Sequence, residues 1–101
     1  MDEIEYQIIE SKEFAKWAEK IRDGRLATIV SERLYRFSQA DFGDIKSVGD
    51  GLLEARIHYG AGYRLYFIRK MNIAVIMLAA GDKSSQERDI KKAKKLANDW
   101  K

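Results

Sequence analysis

Two arginines, a histidine and a lysine are the residues of this chain whose types and spacing suggest shared chemistry. Arg56 and His58 close the run "GLLEARIH" (51–58), and Arg64 follows a Gly-Ala-Gly turn in "HYGAGYRLYF" (58–67). If that turn folds the two runs into neighbouring strands, the guanidinium groups of Arg56 and Arg64 project toward one patch. Like charges so placed repel unless an anion lies with them. Lys83, in "AAGDKSSQ" (79–86), opens the closing helix, where free backbone N–H groups also favour a negative ligand. The three cations are expected to converge on a phosphate. A plainer arrangement, in which Arg56 and Arg64 pair with Glu54 and Asp82, satisfies the same charges without a ligand. His58, at a strand end beside the turn, is either a solvated edge residue or a participant in proton transfer.

The elements that must hold these residues are legible from periodicity. "IEYQII" (4–9) alternates as a short strand, and Ser11 caps a helix with Phe14, Trp17, Ala18 and Ile21 on one face. "RDG" (22–24) interrupts it, and Leu26, Ile29, Val30, Leu34 and Phe37 mark a second amphipathic helix that ends before "DFGD" (41–44), giving a helical hairpin. The period then changes to two. Leu53, Ala55 and Ile57 take one face of a strand, and Glu54, Arg56 and His58 take the other. "YRLYFIR" and the nearly all-apolar "IAVIMLAA" complete a meander around the turns at 60–62 and 71–72. Ser84 and Glu87 have capping-box spacing before a lysine-rich helix that puts Ile90, Ala93, Ala97 and Trp100 on one side. The predicted order is β-α-α-β-β-β-α, an α+β fold. The helices are expected to cover one face of the meander and to leave the opposite, functional face free.

Composition bounds the alternatives. With 101 residues the chain reads as a single domain over 1–101 with one modest core. Hydrophobic residues at 46%, no proline and 7 glycines place it far from disordered composition. No apolar run has the length of a membrane span, and the start "MDEIEYQIIE" is acidic where a secretion signal is basic and then apolar, so a cytoplasmic protein is expected. Zero cysteines and a single histidine remove thiolate chemistry and cysteine- or histidine-rich metal centres. Asp41, Asp44 and Asp50 are accounted for as turn formers, and no metal or other cofactor is expected. A net charge of +3 makes the placement of charge more informative than its total.

Four segments in this order, "IRDGRLATIV" (21–30), "GDIKSVGDGLLEARI" (43–57), "GAGYRLYF" (60–67) and "AGDKSSQERDIKKAKKLA" (80–97), resemble the RelE-like toxins of bacterial toxin–antitoxin systems, in particular the HigB-like addiction module killer branch. The resemblance spans most of the chain. It implies a RelE-like fold and a small ribosome-dependent endoribonuclease that cuts mRNA, inhibits translation and is neutralised by a helix-turn-helix antitoxin, as a heterotetramer with that antitoxin or as a homodimer. Arg56 of "EAR", Arg64 of "GYR" and Lys83 of "GDK" match the basic residues that such enzymes set around the scissile phosphate, and Lys46 matches a weaker RNA contact.

RNA carries its own nucleophile, the 2′-hydroxyl, so cleavage needs alignment, charge stabilisation at phosphorus and proton transfer, and no metal. A guanidinium meets the second need, with Arg64 the first choice. Arginine stays protonated, so the general base is His58, Lys83, a carboxylate such as Glu54, or the ribosome itself. The chain ends "ANDWK" and lacks the C-terminal Tyr or His that some relatives of the family use as an acid. The turn has Ala61 where Gly-Pro-Gly is usual. Tyr66, on the face of Arg64, is expected to stack on an unpaired base. Lys91 and Lys94, with Lys92 and Lys95, are either a solvated helix face or contacts to RNA phosphates. The same fold also serves gyrase-inhibiting ParE-like toxins, which act by protein binding without catalysis.

Overall fold

A computed structural model describes residues 5–100. Strand β1 (Gln7–Glu10) leads into helices α1 (Lys12–Glu19) and α2 (Gly24–Ser38). Strands β2 (Ile45–Ser47), β3 (Leu53–Ile57), β4 (Tyr63–Lys70) and β5 (Ala74–Asp82) follow, then a 3-10 turn (Lys83–Ser85), helix α3 (Gln86–Ala97) and a last 3-10 turn (Asn98–Trp100). The sheet order is β1-β5-β4-β3-β2, with β1 parallel to β5 and every other pair antiparallel. The protein is α+β with a five-stranded mixed sheet.

Local chemistry sets the element ends. Ser11 Oγ accepts the Phe14 N–H at 3.1 Å, capping α1, and donates to the Leu78 carbonyl at 2.8 Å, which docks the cap on β5. Asp23 accepts the Arg25 and Leu26 N–H groups at the start of α2 and also the Tyr59 hydroxyl at 2.7 Å, so one carboxylate ties α2 to the loop after β3. These three contacts hold the Asp23 carboxyl below its usual range, the Tyr59 bond most of all.

Phe14, Leu26, Val30 and Phe37 of α1 and α2 bury against Ala55, Ile57, Leu65, Phe67, Val75 and Met77 on one face of the sheet. Each such large side chain contributes roughly 1.5–3 kcal/mol by leaving water. The opposite face is not free, contrary to the expectation from sequence. Ala93 and Ala97 of α3 close a second core there with Leu52, Tyr66, Ile76, Leu78 and Ala79. The reason is visible in β5, whose residues 74–79 are buried at both parities, a pattern that requires cover on both sides.

Three smaller differences follow from local geometry. The first strand begins at Gln7, and Ile4 of the expected strand lies outside the described residues. Strand β2 pairs with β3 through a turn in which Gly49, Asp50 and Gly51 all have positive φ, and its three residues are too few to display alternation. The Ser84/Glu87 capping box does not form. Asp82 caps the 3-10 turn instead, accepting from the Ser84 N–H at 2.8 Å, while Ser85 at the start of α3 turns its hydroxyl to Asp89.

Candidate phosphate-binding site

The register of β3 on β4 sets Arg56 directly opposite Arg64, and β5 continues the row with Gly81. The expected neighbouring-strand arrangement of the two guanidinium groups is therefore observed. Between them lies Glu54, two residues before Arg56 on the same face and fully buried. Its Oε1 accepts Arg56 Nε at 3.3 Å, its Oε2 lies 3.7 Å from Arg64 Nε, and Gln86 Nε2 of α3 donates to Oε2 at 3.1 Å. A carboxylate without solvent is tolerable only with such partners. Asp82 makes no ion pair with either arginine among the described residues; its carboxylate serves the cap.

The pairing leaves the arginines unequal. Arg64 is 14% exposed, its Nε buried without a hydrogen bond of good geometry, and Arg56 is 36% exposed. Both open onto one cavity of about 360 Å³ that His58, Lys83 and the 60–62 turn also line. Gly60 and Gly62 occupy the left-handed region, with φ of 58° and 86°, which lets the turn bend around the cavity mouth. The Lys83 N–H donates to the Gly62 carbonyl at 3.1 Å, which ties the turn to the start of the 3-10 segment, with the Lys83 side chain in solvent. All four residues singled out as catalytic from the sequence thus meet at one opening.

His58 Nε2 lies 2.9 Å from Asp44 Oδ2 in the loop before β2. A carboxylate only accepts, so Nε2 carries a proton in this contact, and in the neutral form of the ring Nδ1 is the acceptor. This hydrogen bond, more than the charges of His58, Arg56 and Arg33, holds the Asp44 carboxyl below the usual range. Asp44 is therefore more than the turn former expected of it.

Tyr66 has to be corrected. It shares the parity of Arg64, as read from the sequence, but α3 covers that face and the ring is fully buried, so stacking on a base is closed to it. Its hydroxyl lies near Glu54 without a well-formed hydrogen bond, and burial, followed by the charges of Glu54 and Asp89, pushes its pKa up. Lys46 is exposed on the edge strand β2, opposite Glu54 in register, and is not among the residues around the cavity. Lys91 is exposed on α3, while Lys94 reaches Asp50 at 3.5 Å near the β2–β3 turn, also away from the cavity.

Four contributors were missed from sequence. Gln86 buttresses Glu54 from α3. Arg33 Nη1 donates to the Arg56 carbonyl at 2.6 Å, and burial lowers its pKa. Arg36 and Glu32 join it in a second cavity of about 240 Å³ that shares Arg56, His58 and Tyr59 with the first. The spacing of 32 and 36 on α2 was the available signal, but it says nothing of which strand the helix overlies. Among the described residues no group of three His, Cys, Asp or Glu side chains is arranged to hold a metal, and no helix is long and apolar enough to cross a membrane.

The fold and the cavity define a small α+β protein with a cationic pocket at the β3–β4 turn. No family model matches the chain. It is 43% identical over 93 residues to an "Uncharacterized protein" of Haemophilus influenzae, the match covering 92% of this chain and 94% of that protein, and the chain belongs to the same family as that relative.

Proposed function

We propose that this protein is a metal-independent endoribonuclease of the RelE-like toxin class, HigB-like in its branch, which cuts mRNA on the ribosome in the cytoplasm. The observation that carries the reading is the convergence of Arg56, His58, Arg64 and Lys83 on one cavity from two strands, a turn and the segment before α3. The element order supports a RelE-like fold, with β2 added to the expected meander.

The chemistry follows from the groups. The 2′-hydroxyl gives its proton to His58 Nδ1, the 2′-oxygen bonds to the adjacent phosphorus, and the P–O5′ bond breaks. The departing 5′ oxygen takes a proton from the Lys83 ammonium. Arg64, largely buried beside Glu54, stabilises the charge that builds on the phosphorane; Arg56 supplies the second guanidinium. A helix-turn-helix antitoxin is the partner that this reading implies, with the cationic opening as the surface to be covered.

One observation favours a second reading. Glu54 satisfies part of the charge of both arginines without a ligand, as a ParE-like toxin acting on gyrase by protein binding, or a non-catalytic chain, would permit. Primer extension on a defined mRNA with translating ribosomes separates the two. Discrete ribosome-dependent cuts are expected with the native chain, and Arg64→Ala is expected to reduce their rate on the order of 10²–10³-fold. Absence of cuts with the native chain would transfer the protein to the second reading.

A further inference from the structure

We propose that the second cavity, between α2 and β3, is a nucleobase pocket that reads the nucleotide next to the scissile phosphate, with guanine as its preferred base. The proposal rests on the nuclease reading above. The pocket of about 240 Å³ meets the phosphate cavity along Arg56 and His58, so a strand whose phosphate lies against Arg64 can place the adjoining base across that saddle.

The lining suits a base better than a second phosphate. Glu32 and Asp44 on the cavity wall offset part of the charge of Arg33, Arg36 and Arg56, so the lining mixes acceptors with donors as the edge of a base does. A base needs an apolar floor with donors and acceptors at its edge, and Ile29 supplies apolar surface while Arg36 and Glu32 supply the two polar kinds. Residues 32 and 36 stand one turn apart on α2, yet they form no ion pair with each other among the described residues, which leaves both heads available. Guanine answers this pair most fully. It presents O6 and N7 as acceptors to a guanidinium and N1–H with N2–H as paired donors to a carboxylate. Asp44 is occupied by His58, so Glu32 is the carboxylate left for the base.

The test uses the full chain and fluorescein-labelled pentaribonucleotides with a single 2′-deoxy substitution at the scissile position, which binds without being cut. Four versions differ only in the base beside that position. Anisotropy titration is expected to give roughly tenfold tighter binding for guanine. Arg36→Ala or Glu32→Ala, both at exposed positions, should erase that preference, so that each variant binds the four versions alike. Arg64→Ala should weaken all four alike. Equal binding of the four bases that still depends on Arg64 would overturn the base pocket and leave the nuclease reading standing. Binding of none of them in an Arg64-dependent way would overturn the base pocket, while ribosome-dependent cuts that Arg64→Ala slows would still carry the nuclease reading. Competition by free guanosine monophosphate as strong as by the pentanucleotide would overturn strand reading in favour of a nucleotide ligand.

Discussion

Arg56 and Arg64 face each other across the β3–β4 ladder with the buried carboxylate of Glu54 bridging the pair, one oxygen toward each guanidinium. A cross-strand pair of like charges opposes sheet formation, so the position of Glu54 is what allows two cations to be held side by side at a cavity wall. The carboxylate neutralises one unit of charge for two arginines. The remaining positive charge is directed at the opening that Lys83 shares.

Glu54→Gln keeps the shape of the bridge and deletes its charge. Breaking a fully buried pair costs roughly 3–5 kcal/mol, and the lower end applies because Arg56 is 36% exposed and water screens it. The expected loss is about 3 kcal/mol in urea unfolding. Added inorganic phosphate should return more stability to this variant than to the native chain, since the arginines then lack their internal anion. Equal phosphate effects on the two proteins would show that the arginines do not share an anion site.

Tyr66 leads to an opposite expectation. Its hydroxyl is buried and unpartnered beside two carboxylates, so Tyr66→Phe should be neutral or stabilising by up to about 1 kcal/mol. A tyrosine whose folded pKa is raised contributes stability that is complete below its ordinary value near 10 and is lost as pH rises toward the folded value. The native chain should therefore lose stability above about pH 10, and the phenylalanine variant should lose less there. Urea midpoints across the alkaline range decide it; parallel curves for the two proteins would contradict the placement of the hydroxyl.

Much of this arrangement was legible in the sequence, and the failures share a cause. The period of two at 53–57 and the glycine turn were enough to set Arg56 against Arg64, because both signals are local. The cover over Tyr66 was not: the apolar side of α3 with Ala93 and Ala97 is plain in the sequence, but the sheet face it packs on is set by tertiary contacts. The Asp44–His58 contact and the grouping of Glu32 and Arg36 with Arg56 join segments far apart in the chain. Periodicity cannot report contacts between elements whose relative placement is set by packing. The buried status of Glu54 is the intermediate case, since its parity was read correctly while its partner Gln86 arrives only with α3.

Gly81 is where α3 depends on the absence of a side chain. A Cβ at this position would collide with the Asp89 carboxylate and the Ser85 hydroxyl, and Asp89 is buried. Gly81→Ala should cost about 1–3 kcal/mol and lower RNA cleavage, because the same displacement carries Gln86 away from Glu54. Asp89→Ala in the same chain removes the colliding group and should recover a large part of the stability. Additive losses in the double variant would place the cause elsewhere than in this contact.

Asp44 and His58 should behave kinetically as one unit. With Nε2–H held on Asp44, the imidazole offers Nδ1 as its basic nitrogen, and removing the carboxylate frees the ring to rotate or change tautomer. The depressed carboxyl of Asp44 keeps its negative charge, and with it the pairing, above the ordinary value of 3.8 and loses it as pH falls through the lower folded value, so the contact is intact at neutral pH. In single-turnover mRNA cleavage, His58→Ala is expected to cost roughly 10²-fold, as for loss of a general base. Asp44→Ala, acting only through the ring, should cost about tenfold, and its activity profile should change shape with pH where an inert surface variant's would not. The double variant should be no slower than His58→Ala alone. Losses that multiply would mean that Asp44 and His58 act independently, and that Asp44 does not work through the ring.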